Sequence, residues 1–92
     1  DINDIIHLEA NSNYTFIHLL GKPKITASKT LKEFEDILPE DIFFRTHHSH
    51  LINLNYIKKY SKGDGGQIEL QNGNDVDVSR RKKEEFLKAI GY

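Results

Sequence analysis

Apolar positions along this chain recur mainly at every second residue, in short runs broken by turn-forming residues, and only twice at helical spacing. Asp4 to Glu9 alternates imperfectly and Tyr14 to Leu20 reads Tyr-Thr-Phe-Ile-His-Leu-Leu. The two runs predict a hairpin joined by the polar segment Ala10-Asn11-Ser12-Asn13. Gly21-Lys22-Pro23 punctuates the next connection, and Lys24-Ile25-Thr26-Ala27 reads as a third short strand. Thr30-Leu31-Lys32-Glu33 has capping-box spacing. Leu31, Phe34 and Leu38, with Ile37 beside them, lay one apolar stripe on a helix that Pro39 ends.

Ile42-Phe43-Phe44 is a compact apolar run expected to be buried, as is Leu51-Ile52-Asn53-Leu54-Asn55-Tyr56-Ile57. Between them Arg45 to His50 is wholly polar and reads as a loop. Lys58-Lys59-Tyr60 leads into a glycine-rich segment, Gly63-Asp64-Gly65-Gly66, expected to be a flexible loop. Gln67 to Gln71 then alternates toward Asn72-Gly73, a strong hairpin-turn signal, and Asp75 to Val78 completes the second hairpin. Ser79 is the expected N-cap of a terminal helix over Arg80 to Ala89, whose apolar face is Phe86, Leu87 and Ile90. The predicted fold class is therefore mostly β: small antiparallel sheets with one or two short helices.

Composition narrows the function classes. Ninety-two residues suffice for one small domain with a single core, 1–92. With 37% hydrophobic and 29% charged residues the chain reads as an ordinary globule, neither disordered nor membrane-spanning. There is no long apolar run to suggest a signal peptide or a membrane contact, and no cysteine for a disulfide framework, so a cytoplasmic setting is expected. Methionine is also absent, which leads us to expect a part cut from a longer protein, with any sensing domain outside it. The net charge of -1 hides an asymmetry: residues 1–44 carry four Lys and eight Asp or Glu, residues 45–92 nine Lys or Arg and six acids. A local basic face can therefore exist on a near-neutral domain, and it is the local field that attracts phosphates.

Candidate chemistry concentrates in two places. In Arg45-Thr46-His47-His48-Ser49-His50, His47 or His48 with His50 could converge on a metal ion. Catalytic zinc, however, needs three protein ligands and structural zinc usually adds cysteine. His7 and His18 lie in predicted strands far upstream and form no second cluster. A solvated or hydrogen-bonded loop is the preferred reading, with no metal and no cofactor. Ser49 has no Gly-x-Ser-x-Gly context and no strand-turn-helix elbow, so no nucleophile is assigned. Arg80-Arg81-Lys82-Lys83 places four cations at a predicted helix start, where the macrodipole disfavours positive charge by roughly 0.3–1 kcal/mol each. DNA phosphates would compensate, and so would solvent together with Glu84 and Glu85; the run fits either. Asn11-Ser12-Asn13-Tyr14 suits contacts to bases or phosphates but is equally ordinary turn chemistry.

The order of these pieces is more specific than any one of them. Phe43-Phe44-Arg45-Thr46-His47-His48-Ser49-His50-Leu51-Ile52-Asn53 resembles the F-x-R-x-H-x-S-x-[LIV]-[LIV]-N signature of LytTR domains. Ile5 to Tyr14, Thr30 to Phe34, Tyr56 to Tyr60, the Asn72-Gly73 turn and Val78-Ser79-Arg80-Arg81 match that family in order and spacing. The resemblance implies a fold of short antiparallel sheets in which loops, not a recognition helix, enter DNA grooves. Carried over by position, the loop after the first strand (Asn11, Asn13, Tyr14) and the basic segment (Arg80, Arg81) would reach successive major grooves. The His-x-Ser loop (His47, His48, Ser49) would contact DNA between them. Arg45 and Asn53 match signature positions, either touching DNA or bracing the loop, and Lys82 and Lys83 are assigned to phosphates by charge.

The function expected from this resemblance is sequence-specific double-stranded DNA binding without catalysis, by the output domain of a bacterial transcriptional regulator. The expected architecture is a two-component response regulator whose missing receiver domain would pair copies as a homodimer on promoter repeats. Because histidine titrates near neutrality, acidification to about pH 6 is expected to strengthen phosphate binding through His47 or His48. The alternative is a protein-interaction or dimerisation module whose aromatics and basic turn face another protein.

Overall fold

The alternating runs become strands and the two apolar stripes become short helices in the computed structural model, which describes residues 1–63 and 66–91. In chain order these are β1 (Ile5–Asn11), β2 (Tyr14–Leu19), β3 (Ile25–Ala27), α1 (Leu31–Ile37), β4 (Phe43–His47) and β5 (His50–Asn53). They are followed by β6 (Ile57–Ser61), β7 (Gln67–Leu70), β8 (Asp75–Asp77) and α2 (Lys83–Ala89). Single 3-10 turns occupy Ile2–Asp4, Leu54–Tyr56 and Arg80–Lys82. Of the expected loop Gly63 to Gly66, Asp64 and Gly65 lie outside the described residues.

Two antiparallel sheets result. The larger has the order β3-β2-β1-β5-β4 and the smaller β6-β7-β8. Leu51 and Ile52 are neighbours on β5 and point to opposite faces of the larger sheet, and each belongs to a different core. On one face Leu8, Phe43 and Leu51 pack against Leu31 of α1, with Phe34 and Leu38 beside them. On the other, Ile6 and Ile52 meet Ile68, Leu70, Val76 and Val78 of the second sheet region, together with Phe86 of α2. Phe86 is fully buried, its ring edge-on to Phe44 at 5.7 Å and tilted against Tyr60 at 5.3 Å. That anchor seats α2, and hence the basic turn that precedes it, against the end of β4.

Local chemistry explains several boundaries. The Thr30 side chain accepts from the Glu33 N–H at 3.3 Å, which caps α1 as its sequence predicts. Leu38 is already extended because Pro39 follows it. The second hairpin turns through Gln71 to Asn74, with Gly73 at φ +88°, a conformation that costs glycine little. Its Leu70 N–H donates to the Asn74 carbonyl, so the loop is wider than a two-residue turn.

Four expectations need correction. Arg45 to His50 is not a loop: β4 continues to His47 and β5 starts at His50, leaving only His48-Ser49 as the turn, with Thr46 fully buried. The apolar run from Leu51 does not continue unbroken to Ile57, because Leu54–Tyr56 forms a 3-10 turn with Asn55 exposed. The single core expected is instead two, one on each face of the larger sheet. Ser79 precedes a 3-10 turn instead of an α-helix, and its side chain makes no capping bond; the α-helix begins only at Lys83.

Candidate nucleic-acid interface

Three polar segments converge at one end of the larger sheet because backbone hydrogen bonds fasten them there. β1 and β2 close on Ser12-Asn13, with Asn11 opposite Tyr14. Ser12 takes a positive φ of 59° to make so short a connection. Beside it, the Ala10 N–H donates to the Ser49 carbonyl at 2.9 Å, which ties this hairpin to the His48-Ser49 turn. On the far side of that turn, the Ser79 N–H donates to the Thr46 carbonyl at 2.8 Å. The basic segment therefore starts where β4 ends, and the His48-Ser49 turn stands between the other two.

Asn11, Asn13, Tyr14, His48, Arg80 and Arg81 are exposed on this end, while His47, Ser49, Lys82 and Lys83 are half-buried. Glu35, Arg45, His47, His48, Arg81 and Lys82 line one small open cleft, so the turn and the basic segment share a surface. Arg81 makes no hydrogen bond or ion pair among the described residues and is available to a ligand. Lys82 holds its ammonium 5.9 Å from the centre of the Phe44 ring. The Lys83 ammonium lies 3.4 Å from the Gly63 carbonyl, so of the two expected phosphate ligands Lys82 stands nearer the cleft.

Two signature residues serve the protein's own backbone. The Asn53 side chain is buried; its Nδ2 donates to the Ile5 carbonyl and its Oδ1 accepts from the Asn55 N–H, both at 2.9 Å. Both ends of the amide are thus committed inside the fold, where it joins β5 to β1 and shapes the turn that follows. Arg45 donates from Nε to the His47 carbonyl at 3.1 Å and from Nη2 to the His48 carbonyl at 2.6 Å. Its Nη1 meets Glu35 Oε1 of α1 at 2.8 Å. One guanidinium thereby holds the His48-Ser49 turn and pins it to α1, using a planar fork that lysine lacks. Arg45→Lys is expected to lower folding stability by about 1–2 kcal/mol through lost bonds to these acceptors, read from urea unfolding. A change below about 0.3 kcal/mol would show that the turn holds without the fork.

The turn carries its own lock. The Ser49 N–H donates to His47 Nδ1 at 3.1 Å, so that nitrogen bears no proton and a neutral His47 keeps its hydrogen on Nε2. Protonating Nδ1 would remove the acceptor.

Sequence reading placed His7 and His18 apart from the histidine-rich segment, and the fold brings them together. All five histidines form one row across four strands. His18 stacks on His7 at 4.8 Å, His7 meets His50 at 5.2 Å, His50 meets His47 at 5.6 Å, and His47 meets His48 at 6.0 Å. His7 and His50 also share a hydrogen bond, Nε2 to Nδ1, at 3.2 Å, and His18 Nε2 donates to Glu9 Oε1 at 3.1 Å. Burial, then the neighbouring His18 and His50, lower the pKa of His7 to about 3. Burial also lowers that of His50, where Glu9 and Asp77 oppose it and His47 and His18 reinforce it. Part of the row was readable: a turn at Ser12-Asn13 sets His7 opposite His18. The pairing of β1 with β5 was not. Among the described residues no group of three or more His, Cys, Asp or Glu is arranged to hold a metal ion.

The small antiparallel sheets thus present two polar turns and a basic segment together at one end of the larger sheet. The family of LytTr DNA-binding domains matches residues 1–91, and the chain belongs to it. It is similar to the transcriptional regulatory protein YpdB of Escherichia coli K12, 33% identical over 92 residues, which are 97% of this chain and 37% of that protein. YpdB of Shigella flexneri matches to the same degree. The chain thus spans little more than a third of these relatives. Among solved structures it resembles the LytTr DNA-binding domain of a Bacillus cereus protein described as a methyl-accepting/DNA response regulator. That likeness has a TM-score of 0.88 at 30% identity and covers 98% of this chain and 84% of the other.

Proposed function

We propose that this domain reads specific double-stranded DNA sequences as the output half of a bacterial transcriptional regulator, a two-component response regulator, and that it performs no catalysis. The observation that carries the proposal is the convergence of three segments at one end of the larger sheet: Asn11 to Tyr14, His47 to Ser49, and Arg80 to Lys82. Their order across the sheet, with the histidine turn in the middle, suits two outer segments entering major grooves while the turn lies over the backbone between them. Tyr14 is half exposed at 51% and offers a ring and a hydroxyl to a base or sugar. Arg81 has the fork that pairs with guanine O6 and N7. Charge supports the same end: Arg80, Arg81 and Lys82 adjoin it, whereas the nearest acid of α1, Glu35, is neutralised by Arg45.

In this reading a receiver domain outside the chain pairs two copies on repeated promoter sites in the cytoplasm. No helix among the described residues is long and apolar enough to cross a membrane. Selection of bound duplexes from a random DNA pool, followed by titration of the recovered site and a scrambled control at two salt concentrations, tests the proposal. Enrichment of a short motif is expected, with log affinity falling by about 0.9 per phosphate neutralised for each unit of log salt. Binding with little salt dependence and no enriched motif would instead make this end a protein-docking surface.

A further inference from the structure

The histidine row ends at the His48-Ser49 turn, and two of its hydrogen bonds depend on particular nitrogens being unprotonated. His47 Nδ1 accepts from the Ser49 N–H, inside the turn. His50, the first residue of β5, is bonded through Nδ1 to His7 Nε2. His7 Nδ1 is buried without a partner. When His7 donates from Nε2 to His50, that buried nitrogen is only an unused lone pair. A proton arriving on His50 Nδ1 reverses the bond: His7 must accept at Nε2, and its own proton moves to the buried Nδ1, where no acceptor waits. An orphaned buried donor is costly, so the His7–His50 bond is lost or the strands carrying it shift. We propose that the row is a proton-operated latch on the His48-Ser49 turn, closed while His7, His47 and His50 are neutral and released when His47 or His50 is protonated.

The surroundings set the balance of this device. His50 faces His7 and Glu9 of β1, His18 of β2, His47 of β4 and Asp77 of β8; Gln67 of β7 lies 3.4 Å from the Asp77 carboxylate. His47 faces His50 and His48, with Arg45, Glu35 of α1, and Arg81 and Lys82 of the basic turn around the adjoining cleft. His7 lies between His18 and His50. Burial and the imidazole neighbours keep the inner members neutral at neutral pH, and Glu9 and Asp77 give an incoming proton at His50 two counter-charges. The Ala10–Ser49 backbone bond lies directly over the latch, so opening would loosen the turn and the first hairpin together.

The latch stands on the free domain, while its effect on DNA rests on the function proposed above. Amide hydrogen exchange of the DNA-free protein, corrected for intrinsic rates and compared at about pH 7.5 and 5.5, reads the latch directly. Protection at Ala10 and Ser49 is expected to fall about tenfold more than at buried Ile68 in β7, a loss on the scale of one hydrogen bond. The double variant His47→Gln with His50→Gln, in which neither ring can titrate, is expected to remove this pH-dependent excess. An equal fall at all three amides, or an excess that persists in the double variant, would overturn the latch. If the double variant does not fold, 15N spectra of the parent's imidazoles decide: His47 and His50 must lose their unprotonated Nδ1 signals over the range in which Ser49 loses protection, and an uncoupled change rejects the proposal. In a second arm, the ratio of affinities for a selected and a scrambled duplex should fall about tenfold over the same pH range. A constant ratio would sever the latch from DNA reading. Failure to select any duplex would remove the proposed function and leave the exchange result intact.

Discussion

Folding stability is expected to fall by about 2 kcal/mol between about pH 8 and pH 5 through His7 alone. His7 is 3% exposed and its pKa is lowered to about 3 by burial first, and then by His18 and His50. An unfolded histidine takes up its proton near pH 6.5. Between these values the unfolded chain binds a proton that the native protein refuses, so acid favours unfolding. Stability is complete above about pH 6.5, declines as pH falls through this window, and levels off with respect to His7 only near pH 3. The lowered pKa of His50 acts in the same direction. Urea unfolding across this range measures the slope, and His7→Gln supplies the control. That variant gives up the ring stack with His18 and the bond to His50, so it is expected to be less stable at about pH 8 yet markedly flatter toward acid. Parallel pH dependences in the two proteins would assign acid sensitivity to other groups.

The elements that were legible from sequence are those whose signals are local. The capping box at Thr30, the stop at Pro39 and the turn residues at Ser12-Asn13 and Gly73 act within a few residues of themselves, and each is where its chemistry puts it. Polar strands were harder. β4 and β5 continue through Arg45, His47 and His50 because these side chains find partners in α1, in the turn and on β1, and the Thr46 carbonyl accepts from the Ser79 N–H; a composition reading takes the same run for a loop. β6 carries Lys58 and Lys59 because it is an edge strand, where exposed lysines oppose unwanted pairing.

For the candidate site the same division holds. Its outer segments were readable as exposed polar turns and as a resemblance. The work of Arg45 and Asn53 was not, because it depends on Glu35 and the Ile5 carbonyl, which only the folded chain brings near. The histidine row required the register of β1 against β5, whose partners are 41 to 45 residues apart in the chain.

Replacing Arg81 is expected to be the most damaging single change to DNA reading. Arg81→Ala should weaken binding to a selected duplex by about 1–3 kcal/mol and broaden the preference at one base position. The expectation follows from its placement: it is exposed, it has no partner among the described residues, and it shares a cleft with His48 at the centre of the proposed interface. No described residue competes for its fork, in contrast to Arg45. Arg81→Lys separates charge from geometry, since lysine keeps the attraction for phosphate but cannot bond guanine through two parallel N–H groups. The lysine variant should therefore retain affinity for scrambled DNA and lose most of the discrimination. Lys82→Ala is the comparison: with its ammonium beside Phe44 and the cleft, it should weaken all duplexes alike and reduce the salt slope by about one. Equal losses on selected and scrambled DNA for Arg81→Ala would make Arg81 a phosphate ligand, and base reading at this end would then pass to the Asn11–Tyr14 hairpin.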